Sequence, residues 1–437
     1  NAYENGYWSF DDNFYSDDFS LATKYPTNLE IAETYIWSRF ASNDVGESIR
    51  SAEDLARVAS NVNSGKNSYE GITLTLENDI DLSGKYWIPI GTLEHPFKGE
   101  FDGNGKSIQY VSVNQNSNGV TFDSAGNVKY EPTQNYLDYS GLFGVISGAN
   151  IHDLSILGGE VAGLVSGGLV GRAENSTISN ILNRNSAFGL EVAGGIVGEL
   201  VGGSLTNSNN YALVTLSSVD ALDLYAGGLV GQAKDTTIGN DEHNVVSNSG
   251  KITAISTYTS YIATNSLVYL HVGGLVGKMT NTTLSYAQNS GLIKVQTNAH
   301  KLYIGGAVGE TENGTVHDVK NNGQLDVSHS GVYQETHSVL ENTALDKVEN
   351  GEYIYSTVDV GGVVGLSSNS LSLLSNLSSI KFDAMSTNSS HISLGGIVGR
   401  LKNVIDNKLT VSESYNSGSI ESTSTNSTTF GIGGVVG

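Results

Sequence analysis

The sequence predicts an all-β chain wound as a right-handed parallel β-helix, a solenoid, with a short N-terminal capping helix. Three observations carry this. The pentapeptide Gly-Gly-[Leu/Ile/Ala/Val]-Val-Gly begins at Gly167, Gly194, Gly227, Gly273, Gly305, Gly361, Gly395 and Gly433, with a divergent copy over Ser140-Gly141-Leu142-Phe143-Gly144. Apolar residues alternate with polar ones ahead of each pair of glycines, the period of a strand with one buried face. An Asn-rich turn, Asn248-Ser249-Gly250 or Asn289-Ser290-Gly291, then leads to another alternating segment. A unit so small buries its apolar face only against stacked copies of itself. Crossover chirality favours the right-handed coil. A β-propeller, the competing repeat fold, needs four strands per blade and more even spacing. The observed intervals are 27, 33, 46, 32, 56, 34 and 38 residues, as for a fixed core carrying loops of different length.

In chain order, residues 1–48 are aromatic and acidic, with a helical pattern around Leu29–Phe40, and receive no assignment. Ser51-Ala52-Glu53-Asp54 has the form of a capping box, and Leu55, Val58, Ala59 and Val62 share one helical face that ends at Gly65. Such a helix covers the open end of the first coil, whose unpaired strand edges otherwise invite aggregation. Ile72–Leu76, Asp79–Gly84, Trp87–Gly91 and Phe97–Ile108 read as strands and turns of the first coils. This gives a capping helix with first coils over 49–139 and a solenoid of about nine repeats over 140–437.

Within the solenoid, Leu224/Ala226, Leu270/Val272, Leu302/Ile304, Val358/Val360 and Ile392/Leu394 fall inward. Thr177-Ile178, Thr237-Ile238, Thr283-Leu284 and Thr315-Val316 mark a polar-apolar step, so each repeat reads as three strands and three corners. Asn and Gly in the turns suit left-handed backbone. Glu191-Val192-Ala193 slips out of phase and predicts a bulge or a shifted corner there. Strand parity carried through Gly-Gly places the constant Val inward and the variable aliphatic outward. Either that aliphatic column has a cover, or Gly-Gly is a corner that resets the phase.

The chain has 437 residues, 22 Lys+Arg against 45 Asp+Glu, and a net charge of −23. That balance offers nothing to neutralise a nucleic-acid backbone. There is no Cys, which removes disulfides, thiolate metal sites and thiol nucleophiles. No apolar run approaches the ~20 residues of a membrane span. Asn1 follows no basic and apolar leader, which reads as a processed form or an excised segment. Gly437 falls inside a motif copy, so the array reads as continuing.

The pentapeptides with their trailing Thr-Ile and Asn-Ser-Gly-x-Ile resemble the GLUG motif of bacterial and some archaeal surface proteins. The lead-in Ser51–Ile108, with SAEDLARVASNVNSG, NDIDLSGKYWIPIG and FKGEFDGNGKSI, is similar to the segment that commonly precedes GLUG arrays. The resemblance covers roughly residues 49–437. It implies a large, secreted or wall-attached surface protein, adhesin-like or the non-catalytic upstream part of an immunoglobulin-A-type metallopeptidase. It implies no catalytic residue.

The residues point the same way. No His-Glu-x-x-His occurs, and Glu242-His243 lies in a polar stretch. No Gly-Lys-[Ser/Thr] follows the glycine clusters. Asp79/Asp81, Asp11/Asp12 and Asp17/Asp18 are the carboxylate pairs available to a polysaccharide-cleaving β-helix. The six Arg (Arg39, Arg50, Arg57, Arg172, Arg184 and Arg400) are scattered along the chain, which argues against a charged cleft. No cofactor is expected; acidic loops leave room for structural calcium, although no Asp-x-[Asp/Asn]-x-[Asp/Asn]-Gly loop appears. Asn-x-[Ser/Thr] sequons begin at Asn175, Asn281, Asn313, Asn376, Asn388 and Asn426. Flat hydroxylated rings suit sugar or protein contacts. Tyr258, Tyr261 and Tyr269 lie in or beside a long insertion, and Tyr225, Tyr269 and Tyr303 read as one outward column.

The resulting expectation is a non-enzymatic extracellular or cell-surface display module, adhesin-like, contacting a glycan or protein of a host or neighbouring cell. Loops after Gly198, Gly231 and Gly309, including an insertion over 310–360, carry the contact. The alternatives are a filament or surface-layer subunit stacking end to end on copies of itself, and a polysaccharide-binding or polysaccharide-cleaving β-helix.

Overall fold

The computed structural model describes residues 46–84, 86–114, 120–122, 128–130, 135–218, 221–256, 267–330, 356–384, 390–402, 408–424 and 429–437. The segment 1–45, with its Leu29–Phe40 pattern and the pairs Asp11/Asp12 and Asp17/Asp18, lies outside them. Two compact units divide the chain within the repeat array. One holds residues up to 189 with 195–212, the other 190–194 with 213–437.

The first unit begins with Ser48–Ile49 and a helix, α1, over Ala52–Asn63. Ser51 is its N-cap, Oγ accepting from the Asp54 N–H at 3.2 Å, and Asp54 accepts from the Arg50 N–H at 2.9 Å. These bonds satisfy donors that a helix start leaves open. Gly65 follows the helix with φ +74°, the left-handed stop the sequence places there. Leu55, Val58, Ala59 and Val62 are fully buried. Asn61 donates to the Tyr69 hydroxyl, and Asn63 donates to the Pro89 carbonyl and accepts from the Gly91 N–H. Parallel strands then stack in register: Thr73–Leu76 on Glu100–Asp102, and that strand on Asn150–Gly167. Asn150–Gly167 in turn pairs with Val170–Asn183, which pairs with Val197–Thr206.

In the second unit a coil consists of four strands, not three. Tyr269–Gly273 leads into the glycine corner, Val276–Thr280 leaves it, Thr283–Asn289 follows, and Ile293–Thr297 closes the coil. The extra strand is the Val-Gly segment itself, too short for its period to show in sequence. Each strand pairs in parallel with its counterpart one repeat on, so Leu270 lies on Leu302 and Val276 on Val308. Parallel stacking of successive repeats is a parallel β-helix and excludes propeller blades. Leu224, Leu270, Leu302, Val358 and Ile392 form one column of the core, with Ile252, Ile293, Leu325 and Ile380 from the closing strands.

Gly-Gly proves to be the phase-resetting corner. Leu275 and Val276, adjacent in sequence, are both fully buried, as are Leu229/Val230, Ala307/Val308, Val363/Val364 and Ile397/Val398. Neither glycine of these pairs has positive φ; their need is space. A Cβ on Gly274 would sit 2.5 Å from Cγ of Asn289, and one on Gly277 2.9 Å from the Ala226 nitrogen.

The turn asparagines have a second role that the left-handed reading misses. Asn248, Asn289, Asn321, Asn376 and Asn416 form a ladder, each Nδ2 donating to the next Oδ1 at 2.8–3.0 Å. Each also brackets its own turn. Asn289 Nδ2 donates to the Gly291 carbonyl, and its Oδ1 accepts from the Gly291 N–H. A buried amide is thereby satisfied on both sides. Left-handed backbone lies instead at another corner, at Asn175, Asp235, Asn281 and Asn313, with φ of 45–54°. Three sequons therefore begin at structural corners. Asn376 begins a fourth and is fully buried in the ladder, while Asn388 and Asn426 lie outside the described residues. The bulge anticipated at Glu191–Ala193 is not found. Val192 pairs with Tyr225 and Ala193 with Ala226, so Ala193 keeps the inward phase and Val192 tucks into the outward column.

Candidate functional site

Two outward columns of the second unit converge beside the glycine corner. The strands entering it contribute Tyr225, His271, Tyr303 and Asp359 in register, and the strands leaving it Gln232, Lys278, Glu310, Leu366 and Arg400. The glycine after each constant Val brings the strands close enough for these columns to meet. His271 Nδ1 lies 3.1 Å from Glu310 Oε2, and Lys278 Nζ lies 3.1 Å from the same oxygen. Arg400 holds Asp359 Oδ2 through Nη2 at 2.8 Å and Nε at 3.0 Å. Tyr225 stacks on His271 with centroids 4.9 Å apart and planes 17° apart, and Tyr303 approaches the other side at 5.2 Å.

Burial splits the titration of these groups. Asp359 is 1% exposed, and desolvation pushes its carboxyl up to about 6 despite Arg400. Desolvation acts the same way on Glu310, but the contacts from His271 and Lys278 outweigh it and leave that carboxyl at about 2. Burial holds His271 below the usual imidazole value and raises the Tyr303 phenol. Two carboxyls set apart in this way have the electrostatics of an acid/base pair. Their surroundings do not suit the task. Each is enclosed and engaged by a cation, so the chemistry available is a closed ionic lock. In the first unit Arg172 plays the same part, held by Glu174 at 2.8 Å and by Glu199, beside Tyr139.

The tyrosine column requires correction. Tyr225 and Tyr303 share a column, but the ring between them belongs to His271. Tyr269 stands two positions earlier, between Asp223 and Lys301. Tyr303 is buried, which removes it as a surface contact, whereas Tyr225 and Tyr269 are half-buried. Tyr258 and Tyr261 lie outside the described residues. The scatter of Arg along the chain also misleads, because stacking carries Arg400 to Asp359 across 41 positions. Asp79 and Asp81 serve turns: Asp79 accepts from the Ser107 N–H and hydroxyl, and Asp81 from the Ser83 N–H.

The insertions obey a rule that spacing alone conceals. Closing strands end at one register position, Ser218, Ser256, Thr297, His329, Ala384 and Ser424. The next strands share another register position, Asp223, Tyr269, Lys301, Thr357, His391 and Thr429, at or one residue after their starts. Between these positions lie 4, 12, 3, 27, 6 and 4 residues. The longest insertions thus leave and return along one edge, ahead of the glycine corner, while shorter ones follow the corner after Gly231, over 239–245, and after Gly399, over 402–410. Residues 310–330 are not part of an insertion: Val308–Glu312, Thr315–Asn321 and Leu325–His329 are strands of a coil.

Another cluster joins two short segments, 100–102 and 152–153, that nothing in the sequence links. His152 places Nε2 3.0 Å from Glu100 and Nδ1 2.8 Å from Asp153 and 3.7 Å from Asp102. Only the stacking of Asp102 on His152 brings these side chains together.

No family model matches the chain, and no curated protein matches it in sequence. Among solved structures it is similar to a Bacteroides ovatus protein described as a candidate immunoglobulin A1 protease. The two are 16% identical with a TM-score of 0.34, over 86% of this chain and 84% of that one.

Proposed function

We propose that this chain is an extracellular, cell-surface display module of the adhesin-like, GLUG-repeat kind, non-catalytic, whose insertions contact a glycan or protein of another cell. One observation carries the reading: six consecutive insertions of 3 to 27 residues leave and return at the same two register positions. A stacked core that ignores the length of what it carries is a scaffold for variable contact segments. Tyr269 and His391 stand at the first positions after two of these insertions and supply rings at the rim. The ionic lock supports the non-catalytic part, since Asp359 and Glu310 are committed to Arg400, Lys278 and His271.

The test is a screen of the full chain against immobilised glycans and cell-surface proteins. It is run beside a variant in which 257–266 and 331–355 are replaced by short Gly-Ser linkers. Binding by the full chain that disappears in the variant, with unfolding unchanged, supports the reading. Equal binding by both, or binding by neither, contradicts it.

A further inference from the structure

The His152 cluster in the first unit has the composition and the setting of a metal site. Asp102, His152 and Asp153 each offer one ligand atom, all within 4.8 Å of one another. Nδ1 of His152 faces both aspartates. Its other nitrogen, Nε2, faces Glu100, which is held in turn by the Thr73 hydroxyl at 2.6 Å and the Asn150 amide at 3.0 Å. A carboxylate behind the far nitrogen of a ligating histidine fixes its tautomer and orientation and strengthens the ligand. Asn180 donates to the second oxygen of Asp153, leaving Oδ2 toward the histidine.

Charge gives an independent pointer. Glu310, Asp359, Glu174 and Glu199 each pair with Lys or Arg. Glu100, Asp102 and Asp153 make no ion pair with Lys or Arg among the described residues, so three carboxylates converge on one imidazole. Their negative charge favours a cation at Nδ1, a proton or a metal ion.

We propose that Asp102 and Asp153, through carboxylate oxygens, and His152, through Nδ1, bind one divalent first-row transition ion such as Zn2+, with water in the remaining positions. An imidazole nitrogen beside two carboxylates suits such an ion, whereas Ca2+ takes oxygen ligands. The ion joins successive coils, because Asp102 and His152 lie on paired strands. Its place there is a staple beside the first coils.

The experiment is calorimetric titration of the EDTA-treated, dialysed full chain with Zn2+ and separately with Ca2+, repeated on His152→Gln, Asp153→Asn and, as a control, His243→Gln. Asn tolerates the left-handed backbone of Asp153, φ 56°. The proposal expects one saturable Zn2+ site, at least tenfold weaker in the first two variants, unchanged in the control, and at least tenfold weaker for Ca2+. Hydrogen exchange on the unaltered chain gives a readout that needs no variant, with Zn2+ slowing exchange around 100–106 and 150–155. Diffuse, non-saturating Zn2+ binding, binding unchanged by His152→Gln, equal affinity for Ca2+, or protection confined to other segments overturns it.

Discussion

The side chain of Asn289 occupies the place that a Cβ on Gly274 would need, with Cγ 2.5 Å from that position. The two residues are 15 positions apart in one coil, and the relation recurs between Gly228 and Asn248, Gly306 and Asn321, Gly362 and Asn376, and Gly396 and Asn416. The second glycine of the pentapeptide and the asparagine of the turn are therefore one device. The glycine leaves room for an amide ladder that satisfies the buried turn.

Gly274→Ala forces a methyl into that amide and into the next coil's backbone, neither of which yields. It should cost about 3 kcal/mol or more, as overpacking of a rigid site does. Urea midpoints of the variant and the unaltered chain read the loss.

Asn289→Asp removes the donor that serves Asn321 and Gly291 and sets a buried carboxylate against two acceptors. A loss of about 3–5 kcal/mol at pH 7 follows, partly recovered as the pH falls and the carboxyl protonates. Asn289→Ala leaves partners unpaired without adding charge and should cost less, about 2 kcal/mol. Denaturation at pH 7 and pH 4 distinguishes the two.

The ionic lock predicts opposite pH dependences for its carboxyls. Asp359 has its folded value raised to about 6, so its favourable contribution is complete below the unfolded value of about 3.9 and lost as pH rises through 6. Asp359→Asn should thus gain on the unaltered chain with rising pH, by about 1–3 kcal/mol at pH 7.5. Glu310 has its folded value lowered to about 2. Its contribution is present above about 4.3 and lost as pH falls toward 2. Glu310→Gln should cost on the order of 2–3 kcal/mol at neutral pH and progressively less in acid. Urea midpoints across pH 3 to 8 read both effects, and parallel curves for the two variants would contradict the lock.

The repeated pentapeptides, the alternation ahead of them and the helix cap at Ser51 are local patterns, and each appears in the structure where its residues place it. The purpose of the Gly-Gly and Asn pairing is not local, since Gly274 and Asn289 are 15 positions apart and meet only once the coil has formed. The partnerships of Arg400 with Asp359 and of His152 with Asp102 depend on which residues stack. Uneven insertions set that stacking and disguise it: Asp102 and His152 are 50 positions apart, Asp359 and Arg400 41. Tyr225, Tyr269 and Tyr303 are all outward by strand parity, and only the register shows His271 in the place between Tyr225 and Tyr303.

Replacing residues 331–355 with four residues, which leaves six between His329 and Thr357 as between Ala384 and His391, tests the scaffold most directly. Equilibrium urea unfolding of that variant should keep its midpoint and its cooperativity, because His329 and Thr357 lie in register with the ends of shorter loops. A lowered midpoint with a broadened or split transition would show that the insertion belongs to the core, and the display account would fail.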